Sequence, residues 1–129
     1  MRIIVNASSV NSMDTMAREQ YCYLTTVGRR YGNPHTIEIW FAMPEGGRSL
    51  YMLAGGGDRS DWVKNLRQDP SVQVRIGDRV FSGQGRIVTE AAEEQLARRL
   101  VVSKYYGREE VRTTGWEATS LPVAVDLEL

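Results

Sequence analysis

Alternation dominates the hydrophobic pattern of this chain. From His35 to Met43, Ile37, Ile39, Phe41 and Met43 fall on one face and Thr36, Glu38, Trp40 and Ala42 on the other, the period-two signature of a half-buried strand. Val72, Val74 and Ile76 alternate with Gln73 and Arg75, Gly77-Asp78 supplies a two-residue turn, and Val80 to Val88 answers as a longer strand. Tyr21 to Val27 is an aromatic and β-branched run that ends at Gly28, the composition of a strand meeting a turn. Leu50 to Ala54 reads as a further strand ending in Gly55-Gly56-Gly57, and Pro44, Gly46 and Gly47 predict a hairpin joining it to the preceding strand. Val123, Val125, Leu127 and Leu129 alternate with Ala124, Asp126 and Glu128 in a closing strand.

Two segments carry helical spacing instead. Asp58 or Ser60 can cap a short helix in which Trp62, Val63 and Leu66 share a face, and Asp69-Pro70 stops it. Thr89 precedes Glu90, Glu93 and Glu94, after which Leu96, Ala97, Leu100 and Val101 define a longer helix running to about Tyr105. Five or six short strands with hairpin connections, one short helix and one longer helix argue for a closed or nearly closed antiparallel barrel, mainly β in an α+β setting.

Composition narrows the function. The 129 residues suffice for one core, with 1–20 read as an N-terminal extension and 21–129 as a single cofactor-binding domain. Lys and Arg number 16, as do Asp and Glu, which removes the broad positive field on which nucleic-acid binding rests. The only short apolar run near the start, Ile3 to Val5, cannot span a membrane or form a signal-peptide core. The lone Cys22 suits a reducing, cytoplasmic setting, and with His35 the only histidine neither a metal set nor a hydrolytic triad can be assembled.

What remains are anion-binding and ring-stacking features, the kind a cofactor enzyme requires. In Gly28-Arg29-Arg30-Tyr31-Gly32-Asn33-Pro34-His35, glycine turns let backbone N–H groups and guanidinium forks converge on a phosphate. Gly55-Gly56-Gly57-Asp58-Arg59-Ser60 leads into a helix N-terminus, which attracts anions or carbonyl oxygens. Trp62 and Leu66 read as core anchors, while Asn65 can bond a backbone carbonyl or a ring edge. Thr36, Glu38 and Trp40 share a strand face, and Tyr105, Tyr106 and Trp116 can roof a pocket. A basic loop tip in water, a flexible connector and ordinary aromatic packing would use the same residue types.

Taken jointly, Leu24-Thr25-Thr26-Val27-Gly28-Arg29-Arg30-Tyr31-Gly32-Asn33-Pro34-His35, Gly56-Gly57, Trp62-Val63-Lys64-Asn65-Leu66, Asp69-Pro70 and the late Leu121-Pro122 resemble the deazaflavin-dependent nitroreductase family. The resemblance runs from about Tyr21 to the C-terminus. It implies a six-stranded antiparallel split β-barrel of the pyridoxamine-phosphate-oxidase-like, FMN-binding type, and hydride transfer from reduced coenzyme F420 to a small nitroaromatic, quinone or enone acceptor. It places Arg30 at the cofactor phosphate with Arg29 and His35 beside it, and the Gly55, Gly56 and Gly57 backbone along the deazaflavin ring. Thr36, Glu38, Ala54, Ser60, Asp61, Trp62 and Asn65 complete the implied cofactor set, and Glu38, Trp40 and Tyr106 are the pocket candidates for the acceptor. His35 stands where many members carry a second arginine, Tyr31 where they carry a small hydroxyl residue, and Glu38 where proline is common. The alternatives are an FMN-dependent oxidoreductase and a non-enzymatic flavin- or deazaflavin-binding barrel; exposed strand edges make a homodimer the expected assembly.

Overall fold

The computed structural model describes residues 15 to 128. Its six strands are β1 (Cys22–Val27), β2 (Pro34–Ile39), β3 (Ser49–Ala54), β4 (Ser71–Ile76), β5 (Arg79–Ile87) and β6 (Leu121–Glu128). They form one antiparallel sheet in the order β2-β1-β4-β5-β6-β3, curled into the expected split half-barrel. Helices accompany it among the described residues: a helical stretch at 15–17, α1 (Asp61–Gln68), α2 (Ala91–Tyr106) and the single turn α3 (Trp116–Thr119), with a 3-10 turn at Gly57–Arg59.

The alternating residues found in the sequence line the inside. Leu24, Met52, Val72, Val74, Ile76, Val123, Val125 and Leu127 meet Trp62, Val63 and Leu66 of α1 in the main core, and burial of that apolar surface is the dominant favourable contribution to folding. Gly85 of β5 is required there: a Cβ at this position would lie 2.3 Å from Leu66 Cδ1. α2 packs on the opposite side of β3, burying Tyr51, Leu53, Ala97, Val101 and Ala124. Covered on both faces, β3 is buried from Leu50 to Ala54 and shows no alternation.

Two sequence expectations change. The hairpin anticipated at Pro44, Gly46 and Gly47 does not pair two strands: the turn closes through Gly47 N–H to Pro44 O at 3.1 Å, but β3 pairs along its length with β6, from Ser49 opposite Asp126 to Ala54 opposite Leu121. The strand anticipated over His35 to Met43 ends at Ile39, and its extension touches β3 only at the Ala42–Tyr51 bridge. The physical cause is α2. The Phe41 N–H donates to Tyr105 Oη at 3.0 Å, and the Phe41 carbonyl accepts from Lys104 Nζ at 2.9 Å, so side chains at the C-terminal end of α2 satisfy the backbone groups a strand neighbour would otherwise take.

The expected N-terminal extension lies outside the described residues up to position 14. Of the rest, Met16 is buried in the main core, and the Glu19 and Gln20 carbonyls accept from Lys104 Nζ and Tyr105 Oη at 2.7 Å each.

Candidate functional site

The loop between β1 and β2 folds back on itself. Gly28 N–H donates to Asn33 O and Gly32 N–H to Gly28 O, both at 2.8 Å. Asn65 of α1 supports it from beneath and is only 2% exposed. Its Oδ1 accepts from the Arg29 backbone N–H at 3.2 Å and from Arg29 Nη1 at 2.9 Å, while its Nδ2 donates to Thr26 Oγ1 at 3.1 Å and faces His35 Nδ1 at 3.4 Å. Gln68 adds a bond from Nε2 to Arg29 O at 3.2 Å. One buried amide thus ties together strand, loop and helix.

Between this loop and the N-terminal end of α1 lies a cleft of about 470 Å³, lined by Gly28, Arg29, Arg30, Tyr31, Asn33, Pro34, His35, Asp61 and Asn65. The two arginines differ in state. Arg29 Nη2 is paired with Asp61 Oδ1 at 3.1 Å, whereas the Arg30 guanidinium has no hydrogen bond or ion pair among the described residues. An anion entering the cleft therefore meets one unspent guanidinium fork.

Asp61 also connects the cleft to the glycine loop, since Ser60 just before it packs on Gly56; a Cβ at Gly56 would lie 2.5 Å from Ser60 Oγ. Among the described residues the N–H groups of Gly55 and Gly56 donate to no acceptor, and Ser60 makes no side-chain cap bond to the helix it precedes.

Beyond the glycine loop stands an aromatic cluster. Trp40 lies parallel to Tyr105, ring centroids 4.1 Å apart, and Tyr106 and Trp116 stand nearly perpendicular to Trp40 at 6.1 and 6.0 Å. Trp116 reaches the glycine loop: its Nε1 lies 3.1 Å from where a Gly55 Cβ would be, so a side chain there would make the indole give way by a few tenths of an ångström.

The structure therefore sorts the sequence candidates. Arg29, Arg30, His35, Asp61 and Asn65 meet in the cleft, with Gly55, Gly56, Gly57 and Ser60 following along the adjoining loop. Trp40 and Tyr106 join Trp116 in the aromatic cluster. Ala54 and Trp62 lie in the main core. Thr36 and Glu38 point to the outer face of β2, away from His35: Thr36 Oγ1 is 2.7 Å from Thr25 Oγ1, and Glu38 accepts from Tyr23 Oη at 2.5 Å. That bond raises the Tyr23 pKa above its ordinary value. Sequence reasoning missed Tyr23, Thr26 and Gln68, whose partners are 15, 39 and 39 residues away, and it missed Glu117, buried in α3 and bound by Arg108.

The family model for F420H(2)-dependent quinone reductases matches residues 2–128. The chain belongs to that family. The reductase is also similar in fold to several solved structures. One is the conserved protein Rv2991 of Mycobacterium tuberculosis, 20% identical, TM-score 0.73, with 92% of this chain and 80% of that chain covered. A second is an F420-H2 dependent reductase, FDR-A, 21% identical, TM-score 0.63, covering 83% and 94%. A third is a pyridoxamine 5'-phosphate oxidase-like protein of Listeria innocua, 16% identical, TM-score 0.66, covering 93% and 94%. The reductase is an oxidoreductase that uses coenzyme F420. Its own residues fit that group, because the cleft offers a phosphate one free guanidinium and the glycine loop offers a planar ring two unspent backbone N–H groups.

Proposed function

We propose that the reductase passes a hydride from reduced F420, held between the β1–β2 loop and the glycine loop, to a small planar acceptor of the quinone, nitroaromatic or enone type. The observation that carries this reading is the Arg30 guanidinium, free among the described residues, in a cleft walled by Asp61; Ser60, next in the chain to Asp61, packs on the glycine loop, where the Gly55 and Gly56 N–H groups donate to no acceptor among the described residues. Arg30 holds the phosphate. Arg29, neutralised by Asp61 and anchored to Asn65, shapes the loop; His35 completes the cleft wall.

When bound, reduced F420 supplies the hydride. The chain's residues orient and enclose: Gly55 and Gly56 present N–H groups to the ring edge, and Trp116 packs on Gly55 and excludes water from that side. Trp40, Tyr106 and Trp116 offer the acceptor an aromatic wall, and Tyr106, 47% exposed, carries a phenol at its Oη that can deliver a proton. Glu38 is turned away and already bonded to Tyr23.

We place the enzyme in the cytoplasm, where the single buried thiol of Cys22 suits a reducing medium, and as a homodimer. The outer edge of β2 pairs with no strand among the described residues, and an unpaired edge favours association. The test is titration of purified protein with F420 and with FMN, followed by absorbance and fluorescence. Saturable binding of F420 and its oxidation when a quinone is added are expected; a flavin-only preparation that leaves F420 unchanged would sink the reading.

A further inference from the structure

The aromatic wall is held by an arginine that touches neither cleft nor glycine loop. Gly107, with φ of 66°, ends α2 just after Tyr106, and the chain then runs without regular structure to α3. α3 is a single turn, too short to hold its own orientation, yet it carries Trp116. It is fixed at both ends. At its C-terminal end, Arg98 of α2 donates through Nη1 to Glu117 O at 2.8 Å and to Ser120 Oγ at 3.2 Å, and through Nη2 to Ser120 O at 2.8 Å. At its N-terminal end, Glu117 beside Trp116 is only 6% exposed, and Arg108 grips both of its carboxylate oxygens, Nη1 to Oε1 at 3.2 Å and Nη2 to Oε2. The Arg112 N–H donates to the same Oε1 at 2.9 Å.

The Arg108 guanidinium also lies over the Tyr106 ring, its carbon 5.1 Å from the centroid. One side chain thus spans from Tyr106 at the end of α2 to the residue next to Trp116 in α3. We infer that Arg108 is a positioning residue that sets the gap between Tyr106 and Trp116 and thereby the size of planar acceptor the reductase takes. This rests on the proposed function, in which those two rings form the acceptor wall. Bidentate geometry matters here, because a lysine keeps the charge but neither the fork on Glu117 nor the guanidinium over Tyr106. The pair does not titrate at working pH: Arg108 and the Arg112 N–H hold the Glu117 carboxyl down at about 2.

The test combines two readouts on full-length wild type, Arg108→Ala and Arg108→Lys, all carrying 5-fluorotryptophan. In fluorine NMR, the Trp116 resonance, assigned with Trp116→Phe, moves in both variants while that of Trp62 stays. In steady-state kinetics, the ratio of kcat/KM for a bicyclic over a monocyclic quinone shifts by roughly tenfold in both, chiefly through KM, while F420 affinity stays within about twofold. An unmoved Trp116 resonance or an unchanged quinone ratio overturns the inference, as does full recovery of the wild-type ratio in Arg108→Lys. A wild type that binds F420 but reduces neither quinone overturns the proposed function and the role in acceptor choice, and differs plainly from a wild type that turns over with an unmoved ratio.

Discussion

At the scale of the residue, Asn65 and Arg30 divide the labour of the cleft. Asn65 has both ends of its amide engaged by Thr26 and Arg29, so its removal strands buried partners, each costing about 1 to 3 kcal/mol when left unpaired. Asn65→Ala should lower the urea midpoint and weaken F420 binding together. Arg30 has no protein partner to strand among the described residues. Arg30→Ala should leave the urea midpoint unchanged and weaken F420 binding by about 1.5 to 3 kcal/mol, the loss of a charged hydrogen bond; unchanged affinity would move the phosphate elsewhere. The family resemblance, through Trp62-Val63-Lys64-Asn65-Leu66, singled out Asn65, but not that its amide is spent within the protein, because Thr26 and Arg29 are distant in sequence. Alternation placed Thr36 and Glu38 together on one face of β2, away from His35, but gave no sign which of the two faces borders the cleft.

At the scale of the element, α2 does more than cover the sheet. Its last turn holds residues 19–20 and Phe41, just beyond β2, through Lys104 and Tyr105. Lys104 Nζ sits 3.7 Å from the Phe41 ring centroid, and burial pulls its pKa from 10.5 down to about 8. Between those values the unfolded chain binds more protons than the folded one, so this group's contribution to stability rises with pH across that window; below it, the full cost of burying the ammonium remains. Cys22, close enough to influence Lys104, acts in the opposite sense: burial pushes its thiol from 9.0 up to about 12, so its contribution falls above pH 9. Urea midpoints measured at about pH 7.5 and pH 9 should show a rise in wild type that Lys104→Met flattens; equal rises in both would contradict the assignment. α1 offers a simpler check. Leu66→Ala empties the space over Gly85 and should cost about 2 to 5 kcal/mol. Both α1 and α2 were legible from their spacing. α3 was not, since one turn leaves no periodic pattern and Glu117 finds its arginine only after the chain folds back.

At the scale of the whole molecule, Arg86 fastens β5 to β6 and α2. It bonds Glu93 through Nη1 and Nη2 at 2.7 Å each and Asp126 through Nε at 2.8 Å, while Tyr51 and Ser49 of β3 donate to the same carboxylates. The Arg86 guanidinium holds both carboxyls below their ordinary values of 4.5 and 3.8. Their stabilisation is present above those values and is lost as pH falls through the lower folded ones. Because Arg86 and Asp126 are 41% and 46% exposed, water screens the pairs, and the loss should be about 1 kcal/mol per carboxylate. Arg86→Met should flatten the acid limb of a stability curve. Sedimentation at micromolar concentration should give twice the chain mass if β2 edges or faces associate; a single-chain mass would remove the homodimer.

Alternation, turn residues and two helical segments determined the antiparallel barrel from sequence alone, because facing and spacing are local properties of a pleated or helical backbone. Motif resemblance supplied the cofactor. Which strand β3 joins, which arginine of Arg29 and Arg30 stays free, and how Trp116 comes to rest on Gly55 were decided only by the tertiary structure. Each depends on partners tens of residues apart, and no local pattern records which distant group will satisfy a given hydrogen bond or charge.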